Sequence, residues 1–372
     1  MDLIIKTQAG LEKLLREELK ELTGKDGEVL QRAVRLDQAT EADIFAINYL
    51  SRLATHVLWI LQEGTASNET ELYDFARTVD WHAHMKMDQT FAIYPTISSP
   101  RFAHTGFAAL KVKDAIADHF RDRFGRRPNV DKEFPDIPIN IHIYNDRATL
   151  SLNTSGDPLY HRGYKVGKGV ATINEVLALG MIRLSGWQPD QVFFDPMCGT
   201  GTLPIEAALW AKNIPSQRFR DGFAFESFYS LDIGGFRKLK RECARQSQPL
   251  ETSIFGADSH PEAMRLSKKN AMQAKIGDDI QWRKADFFHS APPAETGVLM
   301  MNPPYSERME LHDEKAFYME IGDKLKQDYS GWTAWVLSGN PDAIKRLGLK
   351  PSKKLILYNG PLECDFRSYE LY

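Results

Sequence analysis

Residues 191–202 read Gln191-Val192-Phe193-Phe194-Asp195-Pro196-Met197-Cys198-Gly199-Thr200-Gly201-Thr202, an apolar run that leads into a glycine turn. Helix-forming residues follow from Leu203 to Trp210. Uniformly apolar strands are typical of parallel sheets that are buried on both faces. Glycine lets the backbone approach a ligand closely, and the N-terminus of the next helix presents free N–H groups to it. The stretch therefore predicts a ligand site at the carboxyl end of a strand in an open α/β sheet.

The glycine turn differs from two common phosphate-binding motifs. No Gly-Lys-Ser/Thr sequence comes after it, as a P-loop requires, and the third glycine of the dinucleotide fingerprint is absent. Taken alone, an ordinary strand–helix turn explains the two glycines equally well. The interpretation of the turn therefore depends on the residues at the ends of the other strands.

Strands and helices alternate from about residue 172 to residue 337. Predicted helices cover 173–185 and 261–274, and predicted strands lie at 253–256, around Trp282, at 297–301 and at 333–337. Such alternation with apolar strands is the pattern of a doubly wound α/β fold. This part of the chain is therefore predicted to be a Rossmann-like α/β domain.

The first part of the chain lacks that alternation. Short strands and helices are mixed up to about residue 155, which predicts a small α+β region. The turn-rich segment 153–158 marks a boundary between the two parts. A chain of 372 residues is long enough for two or three domains.

The composition excludes several classes of protein. Lys+Arg number 47 and Asp+Glu 50, so the net charge of -3 excludes a polybasic coat but allows local basic patches. The three cysteines form no Cys-x-x-Cys pair, and His82 and His84 have no Cys or acid at ligand spacing, so no metal site is expected. The acidic N-terminus and the absence of an apolar run of ~18 residues predict a cytoplasmic protein with no membrane partner.

Two carboxylates come after apolar strands further along the chain. Asp258 stands directly after Ile254-Phe255-Gly256-Ala257, and Asp286 precedes Phe287 at the end of the next strand. Each residue taken singly is more often a turn or N-cap residue. Both residues, however, follow apolar strands as the glycine turn does, so all three are expected at one edge of the sheet. There Asp258 can accept hydrogen bonds from both ribose hydroxyls, and Asp286 can accept one from an adenine amino group.

The segment Asn302-Pro303-Pro304-Tyr305 comes directly after the most apolar strand. Two prolines stiffen the backbone, and a rigid loop alone explains them. The flanking residues suggest chemistry as well. An exocyclic amino group on a base or amide is a poor nucleophile because its lone pair is delocalised. Hydrogen bonds to the Asn302 side-chain oxygen and the Pro303 carbonyl would localise that lone pair for attack on a sulfonium methyl group, while Tyr305 stacks on the planar target.

The order of these motifs resembles class I S-adenosylmethionine-dependent methyltransferases that modify exocyclic nitrogens. Further segments narrow the resemblance to the THUMP-domain rRNA guanine-N2 methyltransferases of bacteria, over about residues 155–372. These segments are Tyr160-His161-Arg162-Gly163-Tyr164, Thr172-Ile173-Asn174-Glu175, Ser185-Gly186-Trp187-Gln188-Pro189 and Asn359-Gly360-Pro361-Leu362-Glu363-Cys364. Upstream, Gln8-Ala9-Gly10-Leu11-Glu12 fits the ferredoxin-like region of the same family.

The resemblance implies a ferredoxin-like region at 1–60, a THUMP RNA-binding domain at 61–155 and a class I methyltransferase domain at 156–372. It also implies S-adenosylmethionine as the cofactor and the N2 of a guanine in 23S rRNA as the methyl acceptor. The expected catalytic residues are Asn302, Pro303, Pro304 and Tyr305. The expected cofactor-binding residues are Asp195, Pro196, Met197, Cys198, Gly199, Thr200, Gly201, Thr202, Asp258, Ser259, Asp286, Phe287 and Asn302.

Basic residues beside aromatic residues indicate where RNA could bind. Residues 101–127 contain seven Lys/Arg against three Asp, and residues 161–168 add cations without an acid. Phosphate pairing and aromatic stacking are what RNA binding requires, although a mixed-charge helix is as often a solvated face. The predicted RNA contacts are Arg101, Lys111, Arg126, Arg127, Arg162 and Lys165, and the neighbouring aromatic residues are Phe102, Phe107, Phe120, Phe124, Tyr160 and Tyr164.

Three other functions remain open from the residues alone. An adenine-N6 methyltransferase on DNA or RNA and a protein-glutamine methyltransferase can both use Asn-Pro-Pro-Tyr. A catalytically silent RNA-binding or assembly factor is the alternative outside enzymes. The upstream α+β region favours RNA, and the intact glycine turn and Asn-Pro-Pro-Tyr segment favour an active enzyme.

Overall fold

The computed structural model of the chain describes residues 1–102, 105–166, 173–304 and 314–372. It divides into two compact units. The first contains residues 1–7, 16–159 and 221–241, and the second contains residues 8–15, 160–220 and 242–372. Tyr305, Thr172 and the end of the basic segment 161–168, which the sequence singled out, lie outside the described residues.

The first unit is built on one mixed sheet. Its strands are β1 (Asp2–Lys6), β2 (Glu28–Leu30), β3 (Ala33–Leu36), β4 (His56–Thr65), β5 (Phe91–Ser98), β6 (Ile137–Tyr144) and β7 (Arg147–Asn153). In the described part of the chain their order is β2-β3-β1-β4-β7-β6-β5, with β5 and β6 parallel and the other neighbours antiparallel. Its helices are α2 (Glu41–Leu50), α3 (Glu69–Arg77) and α4 (Thr105–Phe124). The segments predicted as 1–60 and 61–155 thus share this sheet, and the boundary between them falls inside β4.

Local sequence explains where two of these helices begin. Thr40 accepts a hydrogen bond from the Asp43 N–H and donates its own N–H to the Asp43 carboxylate, which forms a capping box before α2. The Asn68 side chain accepts from the Glu71 N–H at 2.9 Å and caps α3 in the same way. Both caps satisfy backbone donors that a helix leaves unpaired at its N-terminus.

The second unit contains the predicted doubly wound α/β sheet. Its strands are β8 (Phe193–Asp195), β9 (Ile254–Asp258), β10 (Ile280–Lys284), β11 (Gly297–Met301), β12 (Trp332–Ser338), β13 (Lys353–Asn359) and β14 (Leu362–Glu370). Its helices are α5 (Glu175–Ser185), α6 (Thr202–Ala211), α8 (Pro261–Gln273) and α9 (Glu314–Asp328). The helices α1 (Glu12–Thr23) and α7 (Ile233–Cys243) contain residues that are grouped with each unit.

The strand order of the second sheet determines where a ligand can bind. The order is β10-β9-β8-β11-β12-β14-β13, in which β10 to β12 are parallel and β14 is antiparallel to both neighbours. The chain runs outward from β8 to β10 on one side and continues from β11 on the other. The direction of winding therefore changes between β8 and β11. Open α/β sheets bind ligands at the carboxyl ends of the strands at such a switch point.

Large aromatic side chains fill the core on one side of this sheet. Phe194 of β8 packs near Tyr329, whose ring also lies 5.6 Å from that of Trp332. All three are at most 3% exposed. Burial of this much apolar surface fixes the short β8 strand, and with it the start of the glycine turn. Within the described ranges, no helix is long and apolar enough to cross a membrane.

Candidate functional site

Two backbone N–H groups of the glycine turn donate hydrogen bonds to the neighbouring strand β9. The Cys198 N–H donates to the Ala257 carbonyl at 2.9 Å, and the Gly199 N–H donates to the Asp258 Oδ2 at the same distance. The Asp195 Oδ1 accepts from the Met197 N–H at 3.1 Å. The turn is therefore held in place before any ligand arrives, which is the preorganisation that a binding site needs.

Both glycines of the turn have left-handed backbone conformations, with φ of +54° at Gly199 and +82° at Gly201. A Cβ on Gly201 would lie 2.7 Å from Trp282 Cη2 and 2.9 Å from Ser267 Cβ. A Cβ on Gly199 would meet no atom of the described residues within 4 Å. Gly201 is thus required for packing of the turn, whereas Gly199 leaves open space beside it.

We expect Gly201→Ala to lower the free energy of unfolding by about 2–5 kcal/mol. Left-handed strain contributes ~1–2 kcal/mol and the close contact with Trp282 contributes ~1–3 kcal/mol. Gly199→Ala is the matched control and should lower the free energy of unfolding by ~1–2 kcal/mol, because only the strain applies. Thermal and denaturant unfolding of the two variants measures the difference. Equal unfolding midpoints would contradict the packing role of Gly201.

Two carboxylates stand where β9 and β10 end. Asp258 accepts the Gly199 N–H on one oxygen and the His260 N–H on the other, at 2.9 Å each. Asp286 accepts the Phe288 N–H at 3.0 Å, and its other oxygen lies 3.1 Å from His289 Nδ1. A carboxylate has about four lone-pair positions, so both groups retain acceptor capacity for a ligand.

A cavity of about 620 Å³ lies at this edge of the sheet. It brings together the cofactor residues predicted from the sequence, with the exception of Gly201. These are Asp195, Pro196, Met197, Cys198, Gly199, Thr200, Thr202, Asp258, Ser259, Asp286, Phe287 and Asn302. Pro304 also lines the cavity, whereas Pro303 is buried and is not part of the lining. The volume is in the range of roughly 300–1,000 Å³ that is usual for small-molecule sites.

Sequence reasoning missed part of the lining. Ala263 and Leu266 line the cavity from α8, and Phe288 and Phe317 add two rings. The three-residue spacing of Ala263 and Leu266 could have indicated one helix face. Phe317 lies on α9, far along the chain, and no local pattern marks it. Ile173, Leu203, His260, Glu262 and Ala285 complete the set.

Two groups in the turn have shifted pKa values. Burial raises the pKa of the Asp195 carboxyl well above its ordinary value, against the opposing hydrogen bond from the Met197 N–H, and the nearby Asp258 charge raises it further. Burial also raises the pKa of the Cys198 thiol, with smaller contributions from the two aspartates. Cys198 is therefore held as a thiol, and Asp195 is protonated more easily than an exposed aspartate.

The position of Arg162 corrects a prediction from the sequence. Its side chain is 0% exposed, and its Nε lies 3.8 Å from Glu206 Oε1. The Tyr164 hydroxyl donates to the same carboxylate oxygen at 3.0 Å. A charge enclosed in this way cannot reach a phosphate, so the prediction that Arg162 contacts RNA is wrong. Phe102, Phe120 and Tyr164 are likewise buried and cannot stack on a base.

The other predicted RNA contacts have mixed surroundings. Arg127 pairs with Asp118 at 3.0 Å, and Lys165 lies 3.3 Å from Glu175 Oε1. Arg101 and Arg126 are exposed, and Lys111 is half-buried. On α4 itself, Lys113 pairs with Asp114 and Arg121 with Asp118, so part of the charge on this helix is neutralised locally. No group of three or more potential metal ligands occurs among the residues that the structure describes.

Three family models match consecutive parts of the chain. They are described as the RlmL ferredoxin-like domain at residues 2–58, the THUMP domain at 66–153, and the RMKL-like methyltransferase domain at 162–368. A putative RNA methyltransferase of Synechocystis is 38% identical over 98% of this chain and 95% of its own length. A ribosomal RNA large subunit methyltransferase K/L of Psychromonas ingrahamii is 35% identical over 99% of this chain and 50% of its own length. The chain thus spans about half the length of such K/L relatives.

Solved structures with similar folds extend over the whole chain. SMU.472, described as a putative methyltransferase complexed with SAH, matches with a TM-score of 0.90 at 27% identity and covers 100% of this chain and 98% of its own. A Listeria monocytogenes protein described as a predicted N6-adenine-specific DNA methylase matches with a TM-score of 0.88 at 28% identity. The match covers 100% of this chain and 96% of that chain. Both descriptions name methyl transfer, and that of the Listeria protein also names an acceptor, the N6 of adenine in DNA.

Proposed function

Because the chain belongs to the RMKL-like methyltransferase family, we propose that it methylates the exocyclic N2 of a guanine in 23S rRNA. As a member, it is an S-adenosylmethionine-dependent methyltransferase that acts on RNA. The cavity that joins Asp258, Asp286 and Asn302 at the ends of three parallel strands is the observation on which the methyl-transfer part of the proposal rests. A cytoplasmic location is part of the same proposal.

The cavity fits S-adenosylmethionine on several counts. Gly199 leaves space beside the turn, and Asp258 retains acceptor positions for ribose hydroxyls. The Oγ1 atoms of Thr200 and Thr202 are buried without a hydrogen-bond partner among the described residues, and both residues line the cavity. Buried hydroxyls are normally paired, so these two are suited to a polar ligand. When bound, the cofactor supplies an electrophilic methyl group.

The residues after β11 are suited to orient the acceptor nitrogen. Asn302 lines the cavity with its neighbour Pro304. In the proposed arrangement, the Asn302 side-chain oxygen and the Pro303 carbonyl accept the two N–H bonds of the amine. The lone pair of the nitrogen is then directed towards the methyl carbon, and no strong base is required to create the nucleophile. Stacking of the base on Tyr305 belongs to the same proposal.

The choice of guanine N2 rests on the resemblance and on the K/L relatives, whose name specifies large subunit ribosomal RNA. The THUMP domain supports RNA over DNA or protein. The main competing acceptor is the N6 of adenine, which the Listeria protein's description names. The N2 of guanine and the N6 of adenine can each donate two N–H hydrogen bonds, so the position of Asn302 alone does not distinguish the two acceptors.

A deletion strain distinguishes these acceptors directly. Ribosomal RNA from wild-type and deletion strains would be digested to nucleosides and compared by mass spectrometry. The proposal predicts loss of 2-methylguanosine from 23S rRNA and its recovery when the gene is restored. Loss of N6-methyladenosine instead would favour the adenine reading, and no change in either nucleoside would favour a silent assembly factor.

We expect Asp258→Ala to weaken S-adenosylmethionine binding by about 10–100-fold. The variant loses acceptors for the ribose and also leaves the Gly199 and His260 N–H groups without their partner. Calorimetric titration with S-adenosylhomocysteine measures the dissociation constant. Asp190→Ala, which removes an exposed carboxylate of the same unit, is the control and should bind as the wild type does. Unchanged affinity of Asp258→Ala would remove this residue from the cofactor site.

A further inference from the structure

Helix α7 (Ile233–Cys243) has an unusual distribution of charge. It contains Arg237, Lys238, Lys240 and Arg241 and a single acid, Glu242. At 100° per residue, Arg237, Arg241 and Lys238 fall within an arc of about 100°, opposite the buried residues Phe236 and Cys243. We call Arg237, Lys238 and Arg241 the α7 basic strip. All three side chains are exposed.

The opposite face of α7 is firmly anchored within the first unit. Phe236 is 1% exposed, and its ring centroid lies 4.9 Å from that of Phe225 and 5.8 Å from that of Phe45. The Lys240 Nζ lies 4.4 Å from the centroid of the Phe236 ring, so this cation covers the anchor. The apolar face of the helix is therefore occupied, and the α7 basic strip faces solvent.

Helix stability does not explain the positive charge on α7. Arg237 and Arg241 are separated by four residues, and like charges at this spacing destabilise a helix. Neither forms an ion pair with a residue that the structure describes. On α4, by contrast, Arg121 pairs with Asp118 and Lys113 pairs with Asp114, and Arg127, just after the helix, also pairs with Asp118. Cations in the last turn favour the helix dipole, but Arg237 and Lys238 lie before that turn.

We infer that the α7 basic strip binds the phosphate backbone of the RNA substrate, an inference that rests on the proposed function. RNA supplies negative charge at closely spaced positions along its backbone. Guanidinium groups are suited to phosphate because they present two parallel N–H donors. A membrane surface fits less well, because amphipathic membrane helices insert an apolar face and that of α7 is already buried. The strip gives affinity and register, while the base pocket selects the nucleotide.

The test compares two variants with the same loss of charge. The α7 variant combines Arg237→Gln, Lys238→Gln and Arg241→Gln. The control combines three substitutions of exposed residues in the second unit, Lys345→Gln, Arg346→Gln and Lys350→Gln. The probe is deproteinised 23S rRNA, titrated by filter binding over a range of salt concentrations. We expect the α7 variant to bind about 10-fold or more weakly, with a salt slope reduced by about 2–3. The control should retain the wild-type slope.

Additional measurements separate the possible failures. Unfolding temperature and S-adenosylhomocysteine affinity should be unchanged in the α7 variant, because its substitutions are exposed and lie outside the cavity. The inference would be overturned if the α7 variant kept wild-type RNA affinity and salt slope, or if the control lost RNA affinity to the same extent. It would also be overturned if the strip bound phosphatidylglycerol vesicles and not RNA. If the strip binds RNA but the methylated product is not 2-methylguanosine, the proposed function is refuted, whereas the inferred RNA-binding surface is retained.

Discussion

Replacing Asn302 with alanine is expected to reduce the rate of methyl transfer by about 10²–10³-fold, or ~3–4 kcal/mol of transition-state stabilisation. The side-chain oxygen is proposed to accept an N–H of the target amine, and that hydrogen bond strengthens as positive charge develops on the nitrogen. Asn302 lines the cavity at the end of β11, beside Pro304. The loss should fall on the rate constant rather than on binding of the cofactor or RNA. Single-turnover transfer of labelled methyl to RNA measures it.

The control for Asn302→Ala is Gln281→Ala, which removes an exposed amide of the same unit outside the cavity. This variant should transfer methyl groups at the wild-type rate. Calorimetry with S-adenosylhomocysteine should give wild-type affinity for both proteins. If Asn302→Ala retained near-normal turnover, its proposed role would be refuted. A matching loss of cofactor affinity would show that Asn302 acts mainly through the cofactor-binding role that the resemblance also implies.

Arg162→Ala is expected to lower the free energy of unfolding by about 3–5 kcal/mol. Removing one partner of a buried ion pair leaves the other charge desolvated and uncompensated. Here the remaining charge is Glu206, which is 0% exposed and also accepts a hydrogen bond from Tyr164. Denaturant unfolding of the second unit measures the change.

A matched substitution isolates the effect of burial. Arg265 also pairs with a glutamate, Glu262 at 2.6 Å, but both side chains are exposed. Arg265→Ala should change stability little, because exposed ion pairs contribute little. Arg162→Ala, while still folded, should bind RNA as the wild type does. Wild-type stability combined with lost RNA affinity would restore the RNA role that burial excludes.

Local sequence patterns were sufficient to predict much of the second unit. The apolar residues Phe193 and Phe194 predict a buried strand, and the glycines after them predict the turn, because both signals depend only on neighbouring residues. The carboxylates Asp258 and Asp286 could be placed because parallel strands bring their carboxyl ends to one edge. Every predicted cofactor residue except Gly201 lines one cavity.

Features that the sequence could not supply depend on contacts between distant residues. Arg162 and Glu206 are 44 positions apart, so no local pattern shows that they neutralise each other. The hairpin of β13 and β14 and the short strands β2 and β3 were not anticipated, since their pairing is set by tertiary context. The cations of α4 and α7 also differ in their contacts. Arg121 of α4 pairs with Asp118, whereas Arg237 and Arg241 of α7 form no ion pair with a described residue.

The most direct test of the central claim is the identity of the methylated nucleoside formed by the purified protein. The protein would be incubated with deproteinised 23S rRNA and S-adenosylmethionine carrying a deuterated methyl group, and the RNA would be digested for mass spectrometry. We predict labelled 2-methylguanosine with the wild-type protein and with Gln281→Ala, and its loss with Asn302→Ala. Label in N6-methyladenosine, or 2-methylguanosine formed equally by Asn302→Ala, would contradict the proposed guanine-N2 activity and the role of Asn302 in it.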